Sequence, residues 1–110
     1  MSAEYAVERS KITRPPVHPG VFFERNILPE FLRQRRTIAE IARMLNVSRQ
    51  SLHRVMSGRS ALTPEMAVRL GKLCGNGPEL WLSMQARYDA WHAGHRLAAE
   101  LKRIPTLREE

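Results

Sequence analysis

Two short helical stretches meet at Asn46-Val47, and that junction constrains the fold of this 110-residue chain more than any other feature. Thr37-Ile38-Ala39-Glu40 has the T-x-x-E form of a capping box, in which Thr37 accepts from the Glu40 N–H and Glu40 reaches back to Thr37. Ile38, Ile41, Ala42 and Leu45 then fall on one side of a helix. Asn46 tolerates the left-handed conformation that ends a helix sharply. Ser48 is a good N-cap for a second helix, Arg49 to Met56. Val47 and Leu52 sit where a hydrophobic staple would, and Ser57-Gly58 closes the second helix. Ala42 is small at the point where the second helix must cross the first. Two helices crossing steeply over a turn of about three residues form a helix-turn-helix.

The remaining start and stop signals are also helical. Arg14-Pro15-Pro16-Val17-His18-Pro19-Gly20 is rigid and extended, because proline fixes φ and restricts its predecessor. A helical pattern begins at Val21 with Phe22, Phe23, Ile27 and Leu28, and Pro29 breaks or kinks it. Thr63-Pro64-Glu65 opens another helix with an N-cap, a proline at the first position and an acid toward the positive end of the dipole. Met66, Ala67, Leu70, Leu73 and Cys74 form its stripe, and Gly75 ends it. Gly77-Pro78-Glu79 repeats the start signal ahead of Leu80, Trp81, Met84, Tyr88 and Trp91. No segment alternates with period two, so the expected fold is all-α, with five core helices and a C-terminal helical extension. Residues 1–14 are expected to be a flexible arm, 15–93 the helix-turn-helix domain and 94–110 a helical or flexible tail.

Charge is concentrated at the same junction. The chain carries a net charge of +7, and fifteen of its eighteen cations are arginine. Seven of those arginines lie between Arg33 and Arg59, where Glu40 is the only acid, so that window holds nearly all the excess. Cations placed beside backbone phosphates release condensed counterions, and the arginine fork pairs with phosphate or with a guanine edge. A solvated face that maintains solubility is the plainer reading of the same composition. The outward face of the second helix carries Arg49, Gln50, His53 and Arg54. In the major groove Arg reads guanine and Gln reads adenine. Residues near the N-terminus of such a helix reach the bases, which makes Arg49, Gln50 and His53 the candidate base readers. Arg36, Arg43, Ser48, Arg54 and Arg59 are the candidate phosphate contacts.

Other function classes find little support. The longest apolar run is three residues, too short to span a bilayer. No apolar h-region follows the first residues, which argues against a secretory signal. A single cysteine, Cys74, forms no intramolecular disulfide and suits a reducing cytosol; on its apolar stripe it reads as a small hydrophobe. His92 and His95 stand three apart on a helix, but no third metal ligand is evident nearby. There is no HExxH, P-loop or GxSxG, so no catalytic role and no cofactor is expected. Trp81 reads as core. Tyr88 and Trp91 are the candidate residues for contact across a two-fold axis, with core packing the alternative for Trp91. Arg9, Lys11 and Arg14 read as a basic tail or a minor-groove arm.

The run Arg59-Ser60-Ala61-Leu62-Thr63-Pro64-Glu65-Met66-Ala67-Val68-Arg69-Leu70 is followed by Pro78-Glu79-Leu80-Trp81-Leu82-Ser83-Met84-Gln85-Ala86-Arg87-Tyr88-Asp89-Ala90-Trp91. With Pro16-Val17-His18-Pro19-Gly20, this resembles the HigA (VapI-like) antitoxin family of Cro/repressor-type (XRE) helix-turn-helix proteins, over about residues 15–93. The resemblance implies a cytoplasmic homodimer that binds a palindromic operator on double-stranded DNA and represses its own operon. It further implies neutralisation of a HigB-type toxin, an mRNA endonuclease. A solitary Cro-type regulator without a toxin, or a protein-binding module using the basic face, are the alternatives. Ile38 stands where many Cro-type domains carry a phosphate-touching Gln, and Val21 where the family usually has an acid.

Overall fold

The computed structural model describes residues 14–108. Most of the expected N-terminal arm, including Arg9 and Lys11, lies outside them. Among the described residues there are seven helical segments and no strand: α1 (Pro19–Asn26), α2 (Leu28–Arg33), α3 (Ile38–Leu45), α4 (Arg49–Met56), α5 (Pro64–Cys74), α6 (Pro78–Arg96) and α7 (Ala98–Leu101). Only Ile27 separates α1 from α2, with Pro29 in the first turn of α2 where its missing N–H costs nothing. Counting that pair as one kinked helix and α7 as a one-turn extension leaves the five core helices expected from the sequence.

The caps are those the sequence specifies. Both arms of the Thr37–Glu40 capping box are formed, at 2.8 and 3.1 Å. Asn46 is left-handed (φ 59°), and the Val47 N–H bonds the Ala42 carbonyl at 3.0 Å, closing α3 with a Schellman-type bond. Ser48 and Thr63 cap α4 and α5, and Gly75 at φ 77° ends α5.

The first helix starts two residues before the expected Val21. Its N-cap is His18, whose Nδ1 accepts from Gly20 N–H at 2.9 Å. Histidine is an unusual cap, and Pro19-Gly20 reads locally as a turn rather than a helix start. A contact 42 residues away decides the outcome: His18 Nε2–H donates to the Ser60 carbonyl at 3.0 Å. The neutral tautomer with its proton on Nε2 satisfies both bonds.

One core holds the layers together. Phe23, Leu28, Ile41, Leu45, Leu52, Val55, Leu62, Met66, Leu70 and Trp81 are buried in it. Helix α4 packs on α1 and α3, while α5 packs on α3 and α6. Trp81 is fully enclosed, edge-on to Phe22 and Phe23, with its Nε1 bonded to Asn76 Oδ1 at 3.1 Å. Gln85 is buried as well: its Oε1 takes the Leu62 N–H at 2.8 Å and its Nε2 donates to Asp89 at 2.9 Å. The first of these bonds fastens the loop after α4 to α6, and the second, within α6, holds the Gln85 amide in place. Helix α6 runs unbroken through Gly94 to Arg96.

Burial holds the His18 pKa below its ordinary value, against the opposing pull of the Ser60 carbonyl and Asp89. Protonation would also remove the acceptor that caps α1. A folded-state pKa below the unfolded one makes stability rise with pH across that interval. The contribution is complete above the unfolded value of about 6.5 and drains away as pH falls through the folded value. Thermal unfolding between pH 7.5 and 5 is therefore expected to show a falling Tm. His18→Asn, which keeps a capping acceptor without the titration, is expected to flatten that slope; an equal slope in both proteins would remove His18 as its source.

Candidate nucleic-acid interface

Helix α4 buries Leu52, Val55 and Met56 and turns every other side chain outward. At 100° per residue the buried trio spans about 100°, little more than a quarter of the helix circumference. Gln50, Arg54 and Ser57 lie on the opposite side, with His53 beside them and Arg49 further round, next to Met56. All five are exposed. The three candidate base readers Arg49, Gln50 and His53 thus share one accessible arc with Arg54, on a helix fixed at its start by Ser48. The helix is only eight residues long, so packing and capping rather than length keep it rigid.

All five phosphate candidates are exposed. Arg36 and Arg43 are exposed, the first in the turn before α3 and the second on α3 itself. Arg59 is exposed on the loop after α4, which folds back so that the Arg59 and Ser60 N–H groups both bond the Arg54 carbonyl. Ser48 is exposed, but its hydroxyl is engaged twice. Its Oγ accepts from Ser51 N–H at 2.9 Å and donates to Ser51 Oγ at 2.8 Å. The proton left free is therefore the Ser51 hydroxyl's, about one turn further along the helix.

Two grooves border α4 and bring in residues outside the basic window and outside α4 itself. Arg25, outside the basic window, lines a groove with His53, Glu24, Ile38 and Ser57. Ser57 completes the outward arc, with its hydroxyl donating to the Arg54 carbonyl at 3.1 Å. A second groove beside Ser51 and Arg54 is lined by Ser60, Thr63, Glu65 and Arg69. Arg35 is left-handed (φ 65°), an uncommon conformation for a side chain of its size. Helical periodicity from α1 could have flagged Arg25; the others depend on how the chain folds back.

Tyr88 and Trp91 belong to a different element, α6. Tyr88 is half-buried, with its ring edge-on to His18 at 5.0 Å and 4.4 Å from the His92 ring. Trp91 is half-buried and stacks on His95 at 3.8 Å, one turn along the same helix. His95 Nδ1 bonds the Trp91 carbonyl at 3.0 Å, so His95 is held against its own helix rather than toward His92. Among the described residues, no three His, Cys, Asp or Glu side chains cluster as a metal site would require. Cys74 is half-buried, and burial pushes its thiol pKa up, away from the reactive thiolate. Among the same residues, no helix is long and apolar enough to cross a membrane.

Comparison with known proteins agrees with this architecture. A helix-turn-helix domain family matches residues 28–81. The HTH-type transcriptional regulator YbaQ of Escherichia coli is 36% identical over 100 residues, covering 88% of this chain and 85% of that one. Antitoxin HigA-1 of Vibrio cholerae is 31% identical over 71 residues, 64% of this chain and 67% of the antitoxin. The solved structure of Pseudomonas aeruginosa antitoxin HigA with the higBA promoter superposes with a TM-score of 0.76 at 26% identity, covering 84% of this chain and 99% of that one.

Proposed function

This chain belongs to the XRE-type helix-turn-helix regulators that include the HigA antitoxins, and on that premise we propose that it reads a palindromic operator in its own promoter as a cytoplasmic homodimer. The observation that carries the proposal is the exposed arc of Arg49, Gln50, His53 and Arg54 on a capped, core-anchored helix. Arg49, Gln50 and His53 meet base edges. Arg36, Arg43, Arg54 and Arg59 hold phosphates, and the place expected for Ser48 passes to the Ser51 hydroxyl, because the Ser48 proton is already donated to Ser51 Oγ. Two copies joined along α6, with Tyr88 and Trp91 at the contact, present two such arcs. Leu97, Leu101 and Ile104 are exposed just beyond them and extend the apolar surface available to that contact.

The same proposal includes a second partner, a HigB-type mRNA endonuclease toxin that the protein neutralises. Similarity to proteins named antitoxins supports it. Co-expression with a small basic product of the adjacent gene is expected to yield a stable complex and to abolish that product's toxicity. If the two fail to co-purify, a solitary regulator is left.

DNA reading is tested by substitution on native and scrambled duplexes. Arg49→Ala or Gln50→Ala is expected to cost roughly 10- to 100-fold in preference for the operator, the worth of one bidentate base contact. Arg59→Ala is expected to weaken both duplexes alike and to lower the salt slope by about one. Wild-type protein that binds both duplexes equally would reject base reading and favour a protein partner for the basic face.

A further inference from the structure

Arg69 stands on α5, outside the basic window and apart from the residues proposed to touch DNA. Its side chain is half-buried, and Nη1 donates to the Leu45 carbonyl at 2.8 Å and to the Asn46 carbonyl at 3.3 Å. These are carbonyls at the C-terminal end of α3, which lack partners within the helix. A cation also suits the negative end of the helix dipole. The geometry of the pair is more telling than its charge. The Leu45 carbonyl lies in the peptide plane before Asn46, and the Asn46 carbonyl in the plane after it. Those two planes are related only by the φ and ψ of Asn46, the left-handed residue (φ 59°, ψ 43°) at which the chain leaves α3 for α4. One guanidinium nitrogen therefore spans the hinge between the two helices. Helix α4 itself packs on α1 and α3, and the Arg69 bonds tie its approach to α5 as well.

We infer that Arg69 is a positioning residue for base reading: it sets the angle at which α4 departs from α3, and so the register of Arg49 and Gln50, without touching DNA. The inference rests on the DNA-reading proposal above. Arg69→Gln removes the charged brace. Arg69→Lys keeps the charge but replaces the rigid fork with a freely rotating ammonium.

The test measures binding of wild type and both variants to native-promoter and scrambled duplexes over a range of salt, with a thermal melt of each protein. Arg69→Gln is expected to lose about 5- to 30-fold in operator-over-scrambled preference, with scrambled affinity and salt slope unchanged. Arg69→Lys is expected to fall between wild type and Arg69→Gln. A wild-type preference in Arg69→Gln would overturn the inference. So would a parallel loss on both duplexes with a salt slope smaller by about one, which marks a direct phosphate contact. If Arg69→Gln does not fold at the assay temperature, Arg69→Lys carries the comparison: a reduced preference supports the inference and a wild-type preference overturns it. Failure of the parent reading looks different, because wild type itself then shows no preference.

Discussion

Alanine at position 20 is expected to destabilise the protein by about 3 kcal/mol or more, at the upper end of what overpacking a core costs. A Cβ on Gly20 would press into the Val55 carbonyl group, 2.6 Å from its carbon and 2.7 Å from Val55 Cγ1. Both backbones are helical there, α1 against α4, so neither can give way locally. The strain must be relieved by moving α4 off α1, and α4 is the helix that carries Arg49, Gln50 and His53. Gly20→Ala is therefore expected to lower the denaturant midpoint and, in whatever folded fraction remains, to weaken operator binding. Wild-type stability in Gly20→Ala would show that α1 and α4 do not approach as closely as described.

Truncating Trp81 is expected to cost about 3–5 kcal/mol, as for other fully buried aromatics. The indole has no exposed surface, and its edges meet both Phe22 and Phe23 of α1. Its removal leaves a cavity where α6 meets α1 and orphans Asn76 Oδ1, the acceptor of its Nε1 proton. Trp81→Phe keeps most of the volume and loses only that bond, so its cost is expected to be well under half that of Trp81→Ala. Urea unfolding of the two variants checks the ordering; equal costs would place the energy in the hydrogen bond rather than in packing.

Local chemistry made much of this fold legible. The capping box at Thr37, the left-handed Asn46, the Ser48 and Thr63 caps and the Gly75 stop each depend on a few neighbouring residues, and each is formed. The outward arc of α4 was legible for the same reason: burying Leu52 and Val55 fixes where Gln50 and Arg54 point. What the sequence hid depends on partners far along the chain. His18 caps α1 while bonded to Ser60, Gln85 holds Leu62, and Arg69 reaches back to Leu45 and Asn46. No local pattern announces these pairings, because each is created only when the loop after α4 folds back over the core. The length of α6 was hidden differently. Beyond Trp91 the helix carries only His92, Ala93, Gly94, His95 and Arg96, so the apolar pattern stops while the helix continues through Gly94.

The central claim is that α4 lies in the major groove and reads base edges there. Guanine N7 is exposed in that groove, so methylation interference on the native promoter addresses the claim directly. The expected result is loss of binding when N7 is methylated within two half-sites whose centres lie about 34 Å apart, one helical turn. Binding that ignores N7 methylation throughout the promoter would contradict the account.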